Sequence, residues 1–385
     1  MTNKLDPATI AVRSGLESDP ITGAVVPPIH LTSNFAFNRF GDKRKYDYTR
    51  SGNPTRDLLA DALTALEQGA GSVITSTGMS AITLVGHLLP AGSLIIAPHD
   101  CYGGTFRLFS AWQKRGEMRV QFVDFASESA VAAALAANPA LLWIETPSNP
   151  LLRISAISDL AARGRKAGAL VAVDNTFLSP VWQLPLTLGA DLVVHSTTKY
   201  LNGHSDVVGG AVVAATKEHA EQLAWWANCL GLSGAPFDSF LTLRGMRTLH
   251  ARLEVHGRNA QQIAEKLAAS PKIGRVFYPG LANHPGHALA RRQQTGFGGI
   301  VTLDLKGGLD AARQFVDGLQ LFSLAESLGG VESLVAHPAT MTHAAMEPAA
   351  RAAAGLTDGL LRLSIGIENV DDLIGDLVAG LDRIR

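Results

Sequence analysis

The sequence predicts an α/β protein: a doubly wound domain with a mostly parallel central sheet, preceded by an N-terminal arm and followed by a smaller α+β domain. Three observations carry that expectation. Short apolar runs alternate with helical stretches through the middle of the chain. Those runs are apolar on successive positions, the pattern of parallel strands covered on both faces. And 46% of the 385 residues are hydrophobic while only 17% are charged, which suits a large buried core and excludes intrinsic disorder.

The elements follow in order. The first fifty or so residues carry Pro20, Pro27 and Pro28 and no sustained period, so residues 1–60 read as an extended arm. A helical pattern starts at Arg56, places Leu58, Leu59, Ala62, Leu63 and Leu66 at mixed spacings, and ends at Gly69 and Gly71. Then come the run Val73-Ile74, a helix over Met79–Leu89, and the runs Leu94–Ile96, Val120–Val123, Leu141–Ile144, Leu170–Val173 and Asp191–His195. The Ala-rich helix between the third and fourth runs starts at Ser127-Glu128 and stops at Asn138-Pro139. Alternating β and α elements argue for a doubly wound domain over 61–255, whose ligands gather at the carboxyl ends of the strands. Asp174, His195-Ser196 and Thr75–Gly78 occupy such ends. After Glu254, a helix through Leu267, the runs Val276-Phe277 and Ile300–Leu305, and a last helix near Asp371–Ile384 make a C-terminal domain over 256–385.

Charge narrows the partners. With 33 Lys+Arg against 34 Asp+Glu the formal charge is −1, so nucleic acid and an anionic membrane lose their electrostatic argument. The sparse charge suggests that further surface is buried in an oligomer. Cys101 and Cys229 cannot build a disulfide framework, and no CxxC pair suggests zinc. The apolar stretch Ala81–Ala97 is broken by His87, Pro90, Gly92 and Ser93, too early to span a bilayer. Met1–Gly15 carries Lys4, Asp6 and Arg13 and no apolar h-region, so the expected compartment is the cytoplasm.

Three elements could carry chemistry. Lys199 follows the strand ending at His195, among Ser196, Thr197 and Thr198. A lysine is usually a solvated surface charge. Hydroxyls beside it at a strand end suit a cofactor with both a phosphate and an aldehyde, the lysine forming a Schiff base. Asp174 closes the run Leu170–Val173; its bland role is a turn residue, its functional one to hold a protonated pyridine nitrogen. Twenty-five residues separate it from Lys199, room for one helical crossover. The loop Ser76–Ala81 joins a strand to a helix, where backbone N–H groups and the helix dipole favour an anion. Its Gly78-x-Ser80 is not a nucleophile elbow, because Ile82 stands where the last glycine belongs. No GxGxxG follows a strand. His284 and His287 lie in a Pro-Gly loop without an acidic third ligand, so a metal site is not expected, and His337 and His343 read as structural or solvated.

In combination these elements resemble the Cys/Met-metabolism family of pyridoxal-phosphate enzymes, which has the fold-type I, aspartate-aminotransferase-like architecture. Matching segments run nearly end to end: Ala24–Ile29 (AVVPPI), Tyr48–Thr55 (YTRSGNPT), Asp100–Gly104 (DCYGG), Glu145–Pro150 (ETPSNP), Asp174–Pro180 (DNTFLSP), Ser196–Val208 (STTKYLNGHSDVV) and Ser323–Leu334 (SLAESLGGVESL). Ala8–Gly15 (ATIAVRSG), Ala97–Tyr102 (APHDCY) and Ala224–Asn228 (AWWAN) are most similar to bacterial members that perform γ-replacement. The resemblance implies pyridoxal 5'-phosphate bound by Lys199, with Asp174 on the pyridine nitrogen and Ser196, Thr198, Gly78 and Met79 on the phosphate. It implies that Tyr48 and Arg50, on the arm, reach the phosphate of a neighbouring subunit in a homotetramer, and that Tyr102 stacks on the ring and aids proton transfer. It places Arg362 on the substrate α-carboxylate, assisted by Asn149 and Ser327. Glu326 and Asp47 would face the distal ammonium, and Arg107 the distal carboxylate of a succinyl ester. Glu326 itself is a lone acid among apolar and small residues, an awkward place for an unpartnered charge. The implied activity joins L-cysteine to an O-acyl-L-homoserine, giving L-cystathionine; cleavage of cystathionine by a γ-lyase is the alternative.

Overall fold

A computed structural model describes residues 5–341, 351 and 354–385. Lys4 and His343 lie outside the described residues. In chain order the strands are β1 (Gly71–Thr75), β2 (Leu94–Pro98), β3 (Arg119–Val123), β4 (Leu141–Glu145), β5 (Leu170–Asp174), β6 (Leu192–Ser196), β7 (Gly210–Ala214), β8 (Ile273–Phe277), β9 (Ile300–Leu305), β10 (Ser323–Leu324), β11 (Leu334–Ala336) and β12 (Leu360–Ser364). The fold is α/β, with a mostly parallel central sheet and a second sheet. The chain divides into two compact units, each discontinuous in sequence: residues 1–91 with 170–250, and residues 92–169 with 251–385.

In the first unit the strand order is β1-β7-β6-β5. β5 and β6 pair in parallel, with Asp174 opposite Val194, so the residues that follow both strands emerge at one end. β7 is antiparallel to both β1 and β6, and its five residues are all buried. Alternation did not reveal it, because β6 reaches β7 through a loop rather than a helix. The crossover from β5 to β6 is likewise shorter than a full helix: one turn at Ser179–Trp182 and a 3-10 turn at Pro185–Leu188.

Helix boundaries follow their caps. The first long helix runs over Pro54–Leu66, starting two residues before the predicted Arg56. Asn53 accepts from the backbone N–H groups of Thr55 and Arg56 at 2.9 and 3.3 Å, and Pro54 needs no N–H partner at the first helical position. The helix Gly78–Gly86 begins where Thr77 Oγ1 accepts from the Ser80 N–H at 2.9 Å, and it closes three residues before the predicted Leu89. The arm contains a helix, Pro7–Arg13, capped by Asp6; seven residues with one buried side chain are too few to show a period. Beyond it the arm is turns and isolated bridges, and Ile21, Leu31 and Phe40 are exposed.

In the second unit β2 pairs in parallel with β3 and with β4. The second sheet has the order β10-β11-β12-β9-β8. Its apolar face packs against the helices Leu249–Ala268, Gly308–Val316 and Val370–Arg383, burying Leu267, Phe315, Val301, Leu363 and Leu373.

Candidate active site

The first unit brings six of the predicted cofactor residues, Gly78, Met79, Asp174, Ser196, Thr198 and Lys199, to the carboxyl ends of β1, β5 and β6; Tyr102 lies in the second unit. Gly78 and Met79 open the helix after β1, where the first turn leaves backbone N–H groups unpaired within the helix. Ser196 closes β6, and a Cβ added to Gly78 would lie 2.9 Å from Ser196 Cβ and 3.1 Å from its Oγ. Any side chain at position 78 would therefore push the serine away, and the bare backbone keeps Ser196 and the helix start close together. The Ser76 and Thr77 hydroxyls each sit 3.0 Å from Ser80 Oγ, adding donors to the same loop. The Thr198 hydroxyl accepts from the Gly209 N–H at 3.0 Å and lies 3.2 Å from the Gly209 carbonyl, which ties the Ser196–Lys199 turn to the start of β7. Lys199 is half-buried, its N–H donating to the Ser196 carbonyl at 3.3 Å.

Asp174 ends β5 as a turn residue would, its Oδ1 accepting from the Thr176 N–H at 3.0 Å. Desolvation pushes its carboxyl above the usual range, against the Thr176 hydrogen bonds and the nearby His195, which lower it. A carboxylate in that condition gains from a cationic N–H donor, and a protonated pyridine nitrogen is one. The Gly78–Ser196 cradle, the hydroxyl set, the desolvated Asp174 and the half-buried Lys199 thus fit pyridoxal phosphate in each of its parts.

Beneath these residues lies a polar cluster without a forecast role. Glu67 and His195 are fully buried, and Glu67 Oε1 is 2.6 Å from His195 Nε2. The same oxygen accepts from Asn175 Nδ2 at 3.0 Å, and Asn175 Oδ1 accepts from Gln183 at 3.0 Å. Arg56 was missed as well. It is buried, burial pulls its pKa down, and its guanidinium donates to the carbonyls of Gly234 (3.1 Å), Thr49 (2.6 Å) and Arg50 (3.3 Å). It thereby fixes the arm just where Tyr48 and Arg50 project. A cavity of about 590 Å³ in this unit is lined by Tyr48, Arg50, Arg56, Ser76 and Thr197, among others. Arg50 packs 5.6 Å from the centre of the Tyr48 ring and donates to the Asn228 carbonyl at 2.7 Å. Asp47 is occupied within its own turn, accepting from Ser51 Oγ at 2.8 Å and the Tyr48 N–H at 2.7 Å; these bonds, with Lys43, lower its pKa.

The second unit brings together Arg362, Asn149 and Ser327. Arg362 is 3% exposed, on β12, and donates through Nη1 to Asn149 Oδ1 at 3.0 Å and through Nη2 to the Ser327 carbonyl at 2.7 Å. Ser327 thus contributes its backbone, held at a positive φ of 83°. Glu145, at the end of β4, bridges two predicted residues: Oε2 accepts from the Tyr102 N–H at 2.8 Å and Oε1 from the Asn149 N–H at 3.2 Å. Asp100 accepts from Ser148 Oγ at 2.7 Å and Arg153 at 3.0 Å, bracing the turn that carries Tyr102. Burial pushes the Tyr102 phenol up; Glu326 and Glu145 push the same way, while Arg107 and Arg362 oppose them. Arg107 and Glu326 are exposed. Glu326, which the sequence sets among apolar and small residues, follows the exposed edge strand β10, so its charge meets solvent. His337 bonds Thr340 and the Asp358 carbonyl, and His284 and His287 bond their own loop.

Comparison with known proteins agrees with this chemistry. The profile described as Cys/Met metabolism PLP-dependent enzyme matches residues 8–382. A cystathionine gamma-synthase of Escherichia coli (strain K12) is 56% identical over 374 residues, covering 97% of each chain. A cystathionine gamma-lyase of Dictyostelium discoideum is 43% identical over 376 residues, covering 97% of each. The solved cystathionine gamma synthase of Xanthomonas oryzae pv. oryzae, in complex with aminoacrylate and cysteine, superposes with a TM-score of 0.98 at 61% identity, over 99% of this chain and 98% of that one. From its first residues to its last helix, the chain belongs to the Cys/Met-metabolism family of pyridoxal-phosphate-dependent enzymes.

Proposed function

We propose that the protein catalyses γ-replacement, joining L-cysteine to an O-acyl-L-homoserine, the O-succinyl ester, to give L-cystathionine and the free acid on the route to methionine. The observation that carries this reading is its near-full-length similarity to two bacterial γ-synthases, at 56% and 61% identity. Pyridoxal phosphate, when bound, supplies the electron sink that makes protons on substrate Cα and Cβ removable. Ser196, Thr198 and the Gly78 and Met79 amides hold the phosphate, and Asp174 the ring nitrogen. Lys199 is the covalent anchor, and its Nζ takes and returns the proton at Cα. Tyr102 stacks on the ring and assists proton transfer. Arg362, braced by Asn149 and the Ser327 carbonyl, binds the α-carboxylate, for which a planar fork has the matching geometry. Glu326 and Asp47 face the distal ammonium, and Arg107 the succinyl carboxylate.

The assembly we propose is a cytoplasmic homotetramer in which Tyr48 and Arg50 complete the phosphate site of a neighbouring subunit. Residues 1–60 form the arm, 61–255 the cofactor domain and 256–385 the C-terminal domain. Among the described residues no helix is long and apolar enough to cross a membrane. The 43% identity to a γ-lyase supports a second reading, cleavage of cystathionine to cysteine, 2-oxobutanoate and ammonia. Purified protein offered an O-succinyl ester with cysteine, then cystathionine alone, separates the two by product. Cystathionine from the first mixture supports the synthase; turnover of the second alone supports the lyase.

A further inference from the structure

Glu67 caps the C-terminal end of the helix Pro54–Leu66, a position where an acid opposes the helix dipole and is ordinarily solvated. Here it is fully buried, as is His195, and both belong to the first compact unit. One oxygen, Oε1, meets His195 Nε2 at 2.6 Å and Asn175 Nδ2 at 3.0 Å. One proton lies between Oε1 and His195 Nε2, and the Asn175 amide donates to the same oxygen. The partners sit at informative places: Asn175 follows Asp174 at the end of β5, and His195 precedes Ser196 at the end of β6. A second tie runs across the same ends, where the Ser196 N–H donates to Thr176 Oγ1 at 2.9 Å. A buried acid with two hydrogen bonds on one oxygen fixes the groups that make them.

We propose that Glu67 is a positioning residue for the cofactor: through Asn175 and His195 it sets the spacing of the strand ends that carry Asp174 on one side and Ser196, Thr198 and Lys199 on the other. The inference rests on the roles proposed above for Asp174 and Lys199.

The test uses the full-length enzyme with Glu67→Gln and Glu67→Ala. It measures the thermal midpoint of the apoprotein, the dissociation constant of pyridoxal phosphate, and the visible circular dichroism of the bound cofactor, which reports how firmly its ring is fixed. Glutamine retains the accepting oxygen, so its apoprotein should melt near wild type and hold cofactor within about threefold. Alanine removes both bonds; it should weaken cofactor binding by about tenfold or more and collapse the visible dichroism. Wild-type affinity and dichroism in Glu67→Ala would overturn the proposal. So would a glutamine apoprotein that does not fold, since the pair would then serve the fold rather than the site. Should alanine itself fail to fold, His195→Gln replaces it: unchanged affinity and dichroism there would equally overturn the idea. Borohydride labelling of wild type keeps the underlying reading separate, because a label that misses Lys199 refutes the anchor and leaves the Glu67 measurements standing.

Discussion

Replacing Arg362 by lysine keeps a positive charge on β12 and removes the planar fork. The guanidinium spans two acceptors that diverge from it, Asn149 Oδ1 at 3.0 Å and the Ser327 carbonyl at 2.7 Å, and those bonds set the plane in which it can meet a carboxylate. An ammonium directs its three donors from a single atom and cannot hold both anchors and a bidentate partner together. The expected loss is one to two charge-assisted hydrogen bonds, about 1.5–3 kcal/mol each, partly offset by the retained charge. KM for the homoserine ester should therefore rise about 10- to 100-fold, since each tenfold is about 1.4 kcal/mol. Steady-state kinetics with the ester, alongside titration of apoprotein with pyridoxal phosphate, gives both readouts. Cofactor affinity should stay within about twofold, because the proposed cofactor ligands are other residues. An unchanged KM, or a loss of cofactor matching the loss of activity, would refute the assignment of Arg362 to the substrate carboxylate.

Arg50→Ala should weaken cofactor retention by removing a charge-assisted phosphate contact of about 1.5–3 kcal/mol. Mixed oligomers of Arg50→Ala and Lys199→Ala chains should regain activity, and verified mixing without rescue counts against a shared site. Glu326→Gln should raise KM for cysteine by up to about tenfold, the smaller end of a charge effect because Glu326 is exposed; equal damage to ester elimination without cysteine would make the residue structural. The last concerns acid stability. Burial, with Arg252 adding to it, lowers the His256 pKa from 6.5 to about 4, while its bond to the Ile365 carbonyl opposes the shift. The unfolded chain then binds a proton that the folded one refuses. This contribution is complete above pH 6.5 and is lost as pH falls toward 4, up to about 3 kcal/mol in all. His284, also lowered to about 4, acts in the same direction. Urea midpoints at about pH 7 and about pH 5 should differ more in wild type than in His256→Gln, and an identical pH dependence in both would refute the linkage.

What could be read from the sequence shares one property: its signal is local. The loop Ser76–Ala81 reads as a candidate anion site because glycine, hydroxyls and a helix start are adjacent in the chain, and Asp174 and Lys199 stand out because each follows an apolar run. β7 escaped because its only cue, four apolar residues after Gly210, came without the helix that alternation leads one to expect. Glu326 went the other way. Its neighbours in sequence are apolar, but β10 is an edge strand whose two residues are themselves exposed, so the awkward setting is an open one.

The supporting polar groups were illegible for a stricter reason. Read one element at a time, a polar residue is assigned to water, since water is the only partner a single helix or strand can name. Glu67 looks like the solvated end of a helix and Arg56 like its exposed beginning. Yet the acid's partners lie 108 and 128 residues away, and the arginine reaches 178 residues to Gly234. Leaving any of these groups buried and unpaired would cost several kcal/mol. Their burial therefore makes sense only once the pairing of β5 with β6 and the folding of the arm onto Gly234 have supplied the partners. The dependence also runs in reverse. A buried carboxylate with two donors penalises any shift of the strand ends that carry them, so the groups least visible in the sequence are the ones that give the visible ones a fixed geometry.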